Sequence, residues 1–172
     1  MKLPQVIQDA RVYFDGDNVV VGQGSVALPS LQAMSETVKG AGIAGEIEMP
    51  LVGQYQSMTT KLDFTTISSD AMKLSSPSAH DIVVRGSQQL FNTSSGVSES
   101  EAVTAFMKVM CKQSELGKLE KGSGSDTSIE LEVLSIRLVI NNEEIVNIDK
   151  CNYVCEFGGV DYMAQLKRNL GM

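Results

Sequence analysis

Alternation of apolar and polar residues runs through most of this chain and predicts strands. Residues 58–67 set Thr60, Leu62 and Phe64 on one face and Thr59, Lys61, Asp63 and Thr65 on the other, the pattern of a half-buried strand with one wet face. Residues 82–92 and 103–113 read as two further strands, joined as a hairpin by the polar, turn-prone segment 93–100. Residues 129–140 and 144–155 flank Asn141-Asn142 and predict a second hairpin. Within 129–140 the apolar phase switches: Ile129, Leu131 and Val133 are odd, whereas Leu134, Ile136, Leu138 and Ile140 are even. That switch predicts a bulge near Leu134, or burial on both faces.

Near the N-terminus, 11–14 and 19–21 flank the turn tetrapeptide Asp15-Gly16-Asp17-Asn18 and predict a tight hairpin. Periodicity alone leaves 31–39 open between strand and helix; Pro29 and the glycines that bracket it favour strand. Two short helices follow from capping signals. The first is capped at Ser68-Ser69-Asp70, runs to about Leu74 and is closed by a Ser-Ser-Pro-Ser stretch. The second is capped by Asp161, with Met163, Leu166 and Leu170 at i, i+3 and i+7 and Tyr162 packing over Leu166. Lys167 and Arg168 sit in its last turn, and Gly171 ends it. Residues 115–125 end in Gly-Ser-Gly-Ser and read as a mobile excursion. The expectation is a mainly β chain forming a single domain over 1–172, without a long-period repeat.

Residues 40–56 stand apart. Gly40, Gly42, Gly45, Gly53 and Pro50 suggest a long, poorly periodic loop, yet it carries Ile43, Ile47, Met49, Leu51 and Val52. Loops this long inside a domain are uncommon, and one this apolar must dock on its own domain or on a neighbour.

Composition narrows the chemistry. With 14 Lys and Arg against 21 Asp and Glu the formal net charge is −7, which argues against nucleic-acid binding through neutralised phosphates. The N-terminal stretch lacks the apolar run of a signal peptide, and no segment reaches the length of a membrane-spanning helix. The three cysteines form no paired framework: Cys151 and Cys155, read as lying on one strand, would share a face but sit too far apart to bridge. The expectation is three reduced, mostly buried thiols, with no zinc site. His80 is the only histidine and has no matched nucleophile motif. Gly40 to Gly45 spells GxGxxG, but Glu46, Glu48 and Pro50 follow where a phosphate-binding motif needs a helix. The acids at i, i+2 spacing, Glu46/Glu48 and Glu99/Glu101, lack the spacing of a calcium loop. These observations predict no enzyme, no cofactor and no metal.

The segments RVYFDG (11–16), SVALPSL (25–31), VKGAGIAGEIEMPLVG (38–53), EEIVNID (143–149) and GGVDYMAQLKRNLGM (158–172) resemble, in order and spacing, the major tail tube proteins of contractile-tailed phages and R-type bacteriocins. From about 68 to 128 the likeness is in pattern rather than letters. The resemblance implies two packed antiparallel sheets, sandwich- or barrel-like, with a flanking helix. It implies hexameric rings whose hairpins join into one β-barrel around a lumen, stacked helically inside a contractile sheath that drives the tube through a target envelope. The implied partners are further copies of the chain, the sheath protein, the tape-measure protein, the baseplate hub and the tail terminator. DNA would pass transiently in a phage and only ions in a bacteriocin. The subunit itself would not insert into membrane, and assembly would take place in the bacterial host cytoplasm.

On that resemblance, Gly40, Gly42, Ile43, Gly45, Glu46, Ile47, Glu48 and Met49 belong to an inter-subunit arm; the alternative is that the segment folds back on its own core. Residues 58–67 and 82–92 become candidate lumen-lining strands, with Thr59, Lys61, Asp63, Thr65, Arg85, Ser87 and Gln89 facing the channel. A ring multiplies the charge, so a fair inward share of the acids would repel passing DNA. Asp161, Lys167, Arg168 and Asn169 become candidate contacts to the next ring or the sheath, against the alternative of intramolecular docking. Two rival classes remain: a β-sandwich binding or adhesion module, and the tube of a non-contractile tail or secretion-type injection machine.

Overall fold

The computed structural model describes residues 2–14, 24–40 and 42–172. In chain order the elements are β1 (Lys2–Phe14), β2 (Val26–Ala27), β3 (Ala33–Lys39), β4 (Glu46–Tyr55), β5 (Thr59–Phe64), α1 (Ser69–Leu74), β6 (Ala79–Asn92) and β7 (Val97–Glu115). They continue with β8 (Thr127–Ile140), β9 (Glu143–Asp149), β10 (Val154–Phe157), β11 (Val160–Asp161) and α2 (Ala164–Leu170). The fold is mainly β and antiparallel, in two sheets, with two short helices. The turn expected at 15–18 and the strand at 19–21 lie outside the described residues.

The large sheet runs β1-β6-β7-β8, and beyond β8 it forks. The first half of β8 pairs with β5, which carries β2; the second half pairs with β9, followed by β10 and β11. The fork sits on the expected bulge. Lys108 pairs with Ser135 and Val109 with Val133, so Leu134 is left over. There the Val133 N–H donates to the Met58 carbonyl at 2.7 Å, and the Lys150 N–H donates to the Leu134 carbonyl at 3.2 Å. One extra residue restores the phase, so Ile129, Leu131 and Val133 before it and Ile136 after it all point into the core.

Both limbs cover the same core, in which Met58, Leu62, Ile82, Val109, Leu131 and Ile148 are essentially sealed from solvent. Helix α1 closes it with Ala71 and Leu74, and the Ser68 Oγ accepts the Ala71 N–H at 3.1 Å as its cap. Buried hydroxyls are partnered: Thr60 donates to the Ala27 carbonyl at 2.7 Å, and Ser125 and Thr127 bond each other at 2.9 Å. Among the described residues no buried side-chain polar atom lacks a partner.

Several expectations change. Residues 46–55 are not loop but strand β4, paired antiparallel with β3. The stretch 144–155 is two strands, β9 and β10, separated by a turn at 150–153. Cys151 is therefore exposed in that turn while Cys155 is buried on β10, and Cys111 is partly buried on β7. The excursion at 115–125 is closed at its base, where the Lys118 N–H donates to the Ser125 carbonyl and the Ser125 N–H to the Thr65 carbonyl. Tyr162 meets Phe157 edge-on at 6.3 Å.

Candidate assembly surfaces

The β3–β4 hairpin is amphipathic in a way that only its register reveals. Val38 pairs with Ile47 and Glu36 with Met49, which puts Met34, Val38, Ile47, Met49 and Leu51 on one face with Glu36. Ser35, Thr37, Lys39, Glu46 and Glu48 share the other face, where Lys39 pairs with Glu46 at 2.6 Å and Ser35 hydrogen-bonds Glu48. The apolar face is in water: Ile47 is 46% exposed and Met49 51%. Gly40, Gly42, Ile43 and Gly45 form the tip, with Gly42 and Gly45 at positive φ and the Ile43 N–H returning to the Gly40 carbonyl at 3.2 Å. At the base the register slips between Ala33 and Ser35. Gly53, at φ 73°, lies so close to Met163 that a Cβ there would strike its sulfur. A two-stranded hairpin alone is marginal in water, and an apolar face left exposed on it adds to that cost.

The second surface is the outer face of the large sheet. Thr59, Lys61 and Asp63 lie on β5, where Lys61 pairs with Asp63 at 3.5 Å and Asp63 accepts from Ser25 at 2.8 Å; Thr65 follows just past the strand. Arg85, Ser87 and Gln89 lie on β6. The structure does not bring these two groups into one patch. Through β8 and β7, Thr59 is level with Ala79 of β6. That leaves β8 and β7 between the groups and roughly 20 Å along the strand direction up to Arg85. Ser87 and Gln89 instead join Gln5, Gln8, Ser98 and Ser100, which the pattern of the sequence did not single out. Gln89 donates to Gln5 at 3.0 Å and Ser98 at 3.3 Å, and the Gln8 carbonyl accepts from Ser87 at 2.9 Å and Ser100 at 3.2 Å. The result is an uncharged ladder across a protruding three-stranded ribbon. On its reverse, Lys2 pairs with Glu99 at 2.6 Å, and that cation holds the Glu99 carboxyl below its ordinary range.

The third surface is α2. The Asp161 carboxylate accepts the Met163 N–H at 2.8 Å and pairs with Lys167 at 3.5 Å. Met163 is buried and Leu166 packs on the core, so the helix docks on its own domain. Leu170, Met172, Val160 and Tyr162 stay exposed, as does Arg168, and Asn169 accepts from Gln165 at 3.2 Å. Of the helix's two expected contact cations, Lys167 is already engaged and Arg168 faces outward.

Elsewhere the reactive side chains are in structural contacts. The His80 Nε2 lies 2.6 Å from Ser76 and 3.1 Å from Ser78, with its ring tilted against Phe14 at 5.1 Å. Burial pushes the Cys155 and Cys111 thiols up, away from reactivity. The GxGxxG stretch is a hairpin tip between antiparallel strands, and no metal-binding cluster occurs among the described residues.

Comparison with known proteins agrees with this architecture. The chain is 26% identical over 176 residues to the tail tube protein of Escherichia phage P2, covering all of both chains. Its fold matches the sheath/tube terminator of PVC, an extracellular contractile injection system, in the extended state, with a TM-score of 0.53 and 14% identity over 78% of this chain and 96% of that one. The family profile described as phage tail tube protein FII matches residues 4–171, nearly the whole chain. This protein is a member of the phage tail tube protein FII family.

Proposed function

We propose that the chain is the repeating structural subunit of a tail tube. Its copies form hexameric rings that stack helically inside a contractile sheath, leaving a lumen that conducts DNA in a phage or ions in a bacteriocin. The observation that supports assembly most directly is the β3–β4 arm. It presents Val38, Ile47, Met49 and Leu51 to water on one face, while on its other face Ser35 hydrogen-bonds Glu48 and Lys39 pairs with Glu46. Burying that face on a neighbouring copy removes an apolar surface that the chain itself leaves open.

The outer face of the β1-β6-β7-β8 sheet is the wall best suited to a lumen. In the Gln5, Gln8, Ser87, Gln89, Ser98 and Ser100 region it is mostly neutral and polar, with its side-chain hydrogen bonds made internally, and Asp9 opposite Ser87 is paired with Arg11 at 3.6 Å. The candidate lining residues hold one acid, Asp63, against Lys61 and Arg85. Easy passage of a polyanion along this wall then rests on neutral, self-satisfied amides and hydroxyls more than on repulsion by the net −7 charge. Sheath, tape-measure protein, baseplate hub and terminator are the remaining partners on this reading, and Arg168 with Leu170 and Met172 at the C-terminal end is the surface offered to the next ring or the sheath.

Negative-stain microscopy and sedimentation of the full-length protein test the proposal. Hollow rods or rings of uniform width are expected. Compact monomers at every concentration tried would refute it, and full-length rods from a chain lacking residues 41–52 would refute the arm's part in assembly.

A further inference from the structure

Charge is graded across the outer face of the large sheet. One cross-strand row reads Arg11 on β1, Arg85 on β6, Thr104 on β7, Val139 on β8 and Glu144 on β9. Contacts place both ends on the same face: Arg85 lies over the Tyr13 ring at 5.2 Å, and Arg137 lies over Phe106 at 4.4 Å while reaching Glu144 at 3.8 Å. The row is therefore cationic at the β1 edge and anionic at the β9 edge through Glu144, while Glu143, paired with Ile140, carries a second carboxylate on the reverse face of that same edge.

Like charges directly opposite on neighbouring strands are unfavourable, yet the register sets Arg11 against Arg85. Arg11 finds only an exposed Asp9 at 3.6 Å. Arg85 is exposed without an ion-pair partner among the described residues, and so is Glu143 at the far end. Among the described residues both edges are also open. Strand β1 pairs with β6 alone among the described residues. On β9, the Gly158 N–H covers the Ile145 carbonyl at 2.9 Å, and β10 pairs only from Val146 onward, leaving the outer side of Glu143 and Glu144 free.

We infer that this polarity is a head-to-tail interlock between copies of the chain, with the Arg11/Arg85 edge of one copy set against the Glu143/Glu144 edge of the next. It rests on the tube-forming reading above and specifies which edges meet and in which direction. The occupant is a second copy because both halves of the complementary pair lie on one chain, in one row of the sheet. A two-fold contact would place arginines on arginines or glutamates on glutamates in chains that already repel through a net charge of −7. Head-to-tail repetition satisfies both of these edges and generates a ring or helix rather than a closed dimer.

The experiment uses full-length chains at low ionic strength, where such pairs are least screened. Arg11→Glu with Arg85→Glu makes both edges acidic, and Glu143→Arg with Glu144→Arg makes both basic. Each reversed chain alone is expected to stay unassembled in sedimentation and negative stain, with native circular dichroism. An equimolar mixture of the two, and a single chain carrying all four changes, are expected to recover assembly. Because Glu144 also pairs with Arg137, Arg137→Gln is the control that loses this ion pair while keeping the charge of both edges, and it is expected to assemble. Reversed chains that assemble like the wild type overturn the inference alone. So does failure of both the mixture and the fourfold variant when each is natively folded. Wild-type chains that never assemble overturn the tube reading, and the interlock with it.

Discussion

Replacing Ile47 and Met49 by Asp on the apolar face of the arm separates assembly from folding. Both side chains are about half exposed in the isolated chain, at 46% and 51%, so each has roughly half of its surface left to bury on a neighbour. Full burial of an Ile or Met side chain contributes about 1.5–3 kcal/mol, so the unburied half amounts to ~1 kcal/mol each. A carboxylate in the same contact adds a desolvation cost of at least ~1 kcal/mol even with partial compensation. Together the two changes weaken each arm contact by ~3–4 kcal/mol, or more than 100-fold in its association constant. Folding of the monomer should move little, because surface changes away from caps and cores stay within about 0.5 kcal/mol. Concentration-dependent sedimentation is the assay, with thermal melting of the unassembled chain as the control. Glu48→Gln on the opposite face should leave assembly near the wild-type level. Tubes forming from the double Asp variant at the wild-type threshold would refute the reasoning. A collapse in melting temperature would refute the claim that this face is unused within the monomer.

Deleting Leu134 removes the bulge and forces the flanking halves of β8 out of phase, so either Ile129, Leu131 and Val133 or Ile136 must leave the core; loss of cooperative melting is expected. Gly53→Ala places a Cβ against Met163 at a positive φ and should lower stability by about 1–2 kcal/mol in urea titration. Leu74→Ala empties a fully buried position under α1, and a loss of ~2–5 kcal/mol by the same titration is expected. Glu132 carries the clearest pH dependence. Burial opposes its ionisation, but hydrogen bonds from Ser57 at 2.6 Å and Lys150 at 2.9 Å, with the charge of Lys150, outweigh it and hold the carboxyl below its ordinary value. A lowered folded pKa means the stabilisation is present above the unfolded carboxyl range near ~4.3 and is lost as pH falls through the folded value. Glu132→Gln should therefore flatten the acid limb of a stability–pH profile, and an unchanged limb would count against this assignment.

How much of this protein was legible in its sequence depends on how local each signal is. The alternation of β5, the phase switch at Leu134, the Ser68 cap and the terminal Gly171 are all set by residues within a few positions of one another, and each appears where the pattern placed it. Strand periodicity and capping are properties of a short stretch of backbone, which is why a single chain read alone reveals them. The arm was partly legible and partly masked. Glu46, Ile47, Glu48, Met49, Pro50 and Leu51 alternate strictly, but the surrounding glycines and Pro50 made the stretch look like loop. Pro50 is tolerated because a two-stranded sheet is all edge, where a missing N–H can face solvent.

Which faces became surfaces was decided by register. Val38 lies against Ile47 because β3 and β4 pair as they do, and that pairing gathers the apolar residues on one side of the arm. Arg11, Arg85 and Glu144 are far apart in the chain and fall into one row only because four successive antiparallel pairings carry it across the sheet. The same pairings separate Lys61 from Arg85, although each lies on a strand with one wet face. By itself the sequence determined the mainly β character of the chain and the buried faces of its most strictly alternating strands. Tertiary structure decided which strands neighbour one another, and so where unburied apolar area and unpaired charge accumulate, because side chains from distant segments meet only through the hydrogen-bonded register that aligns them.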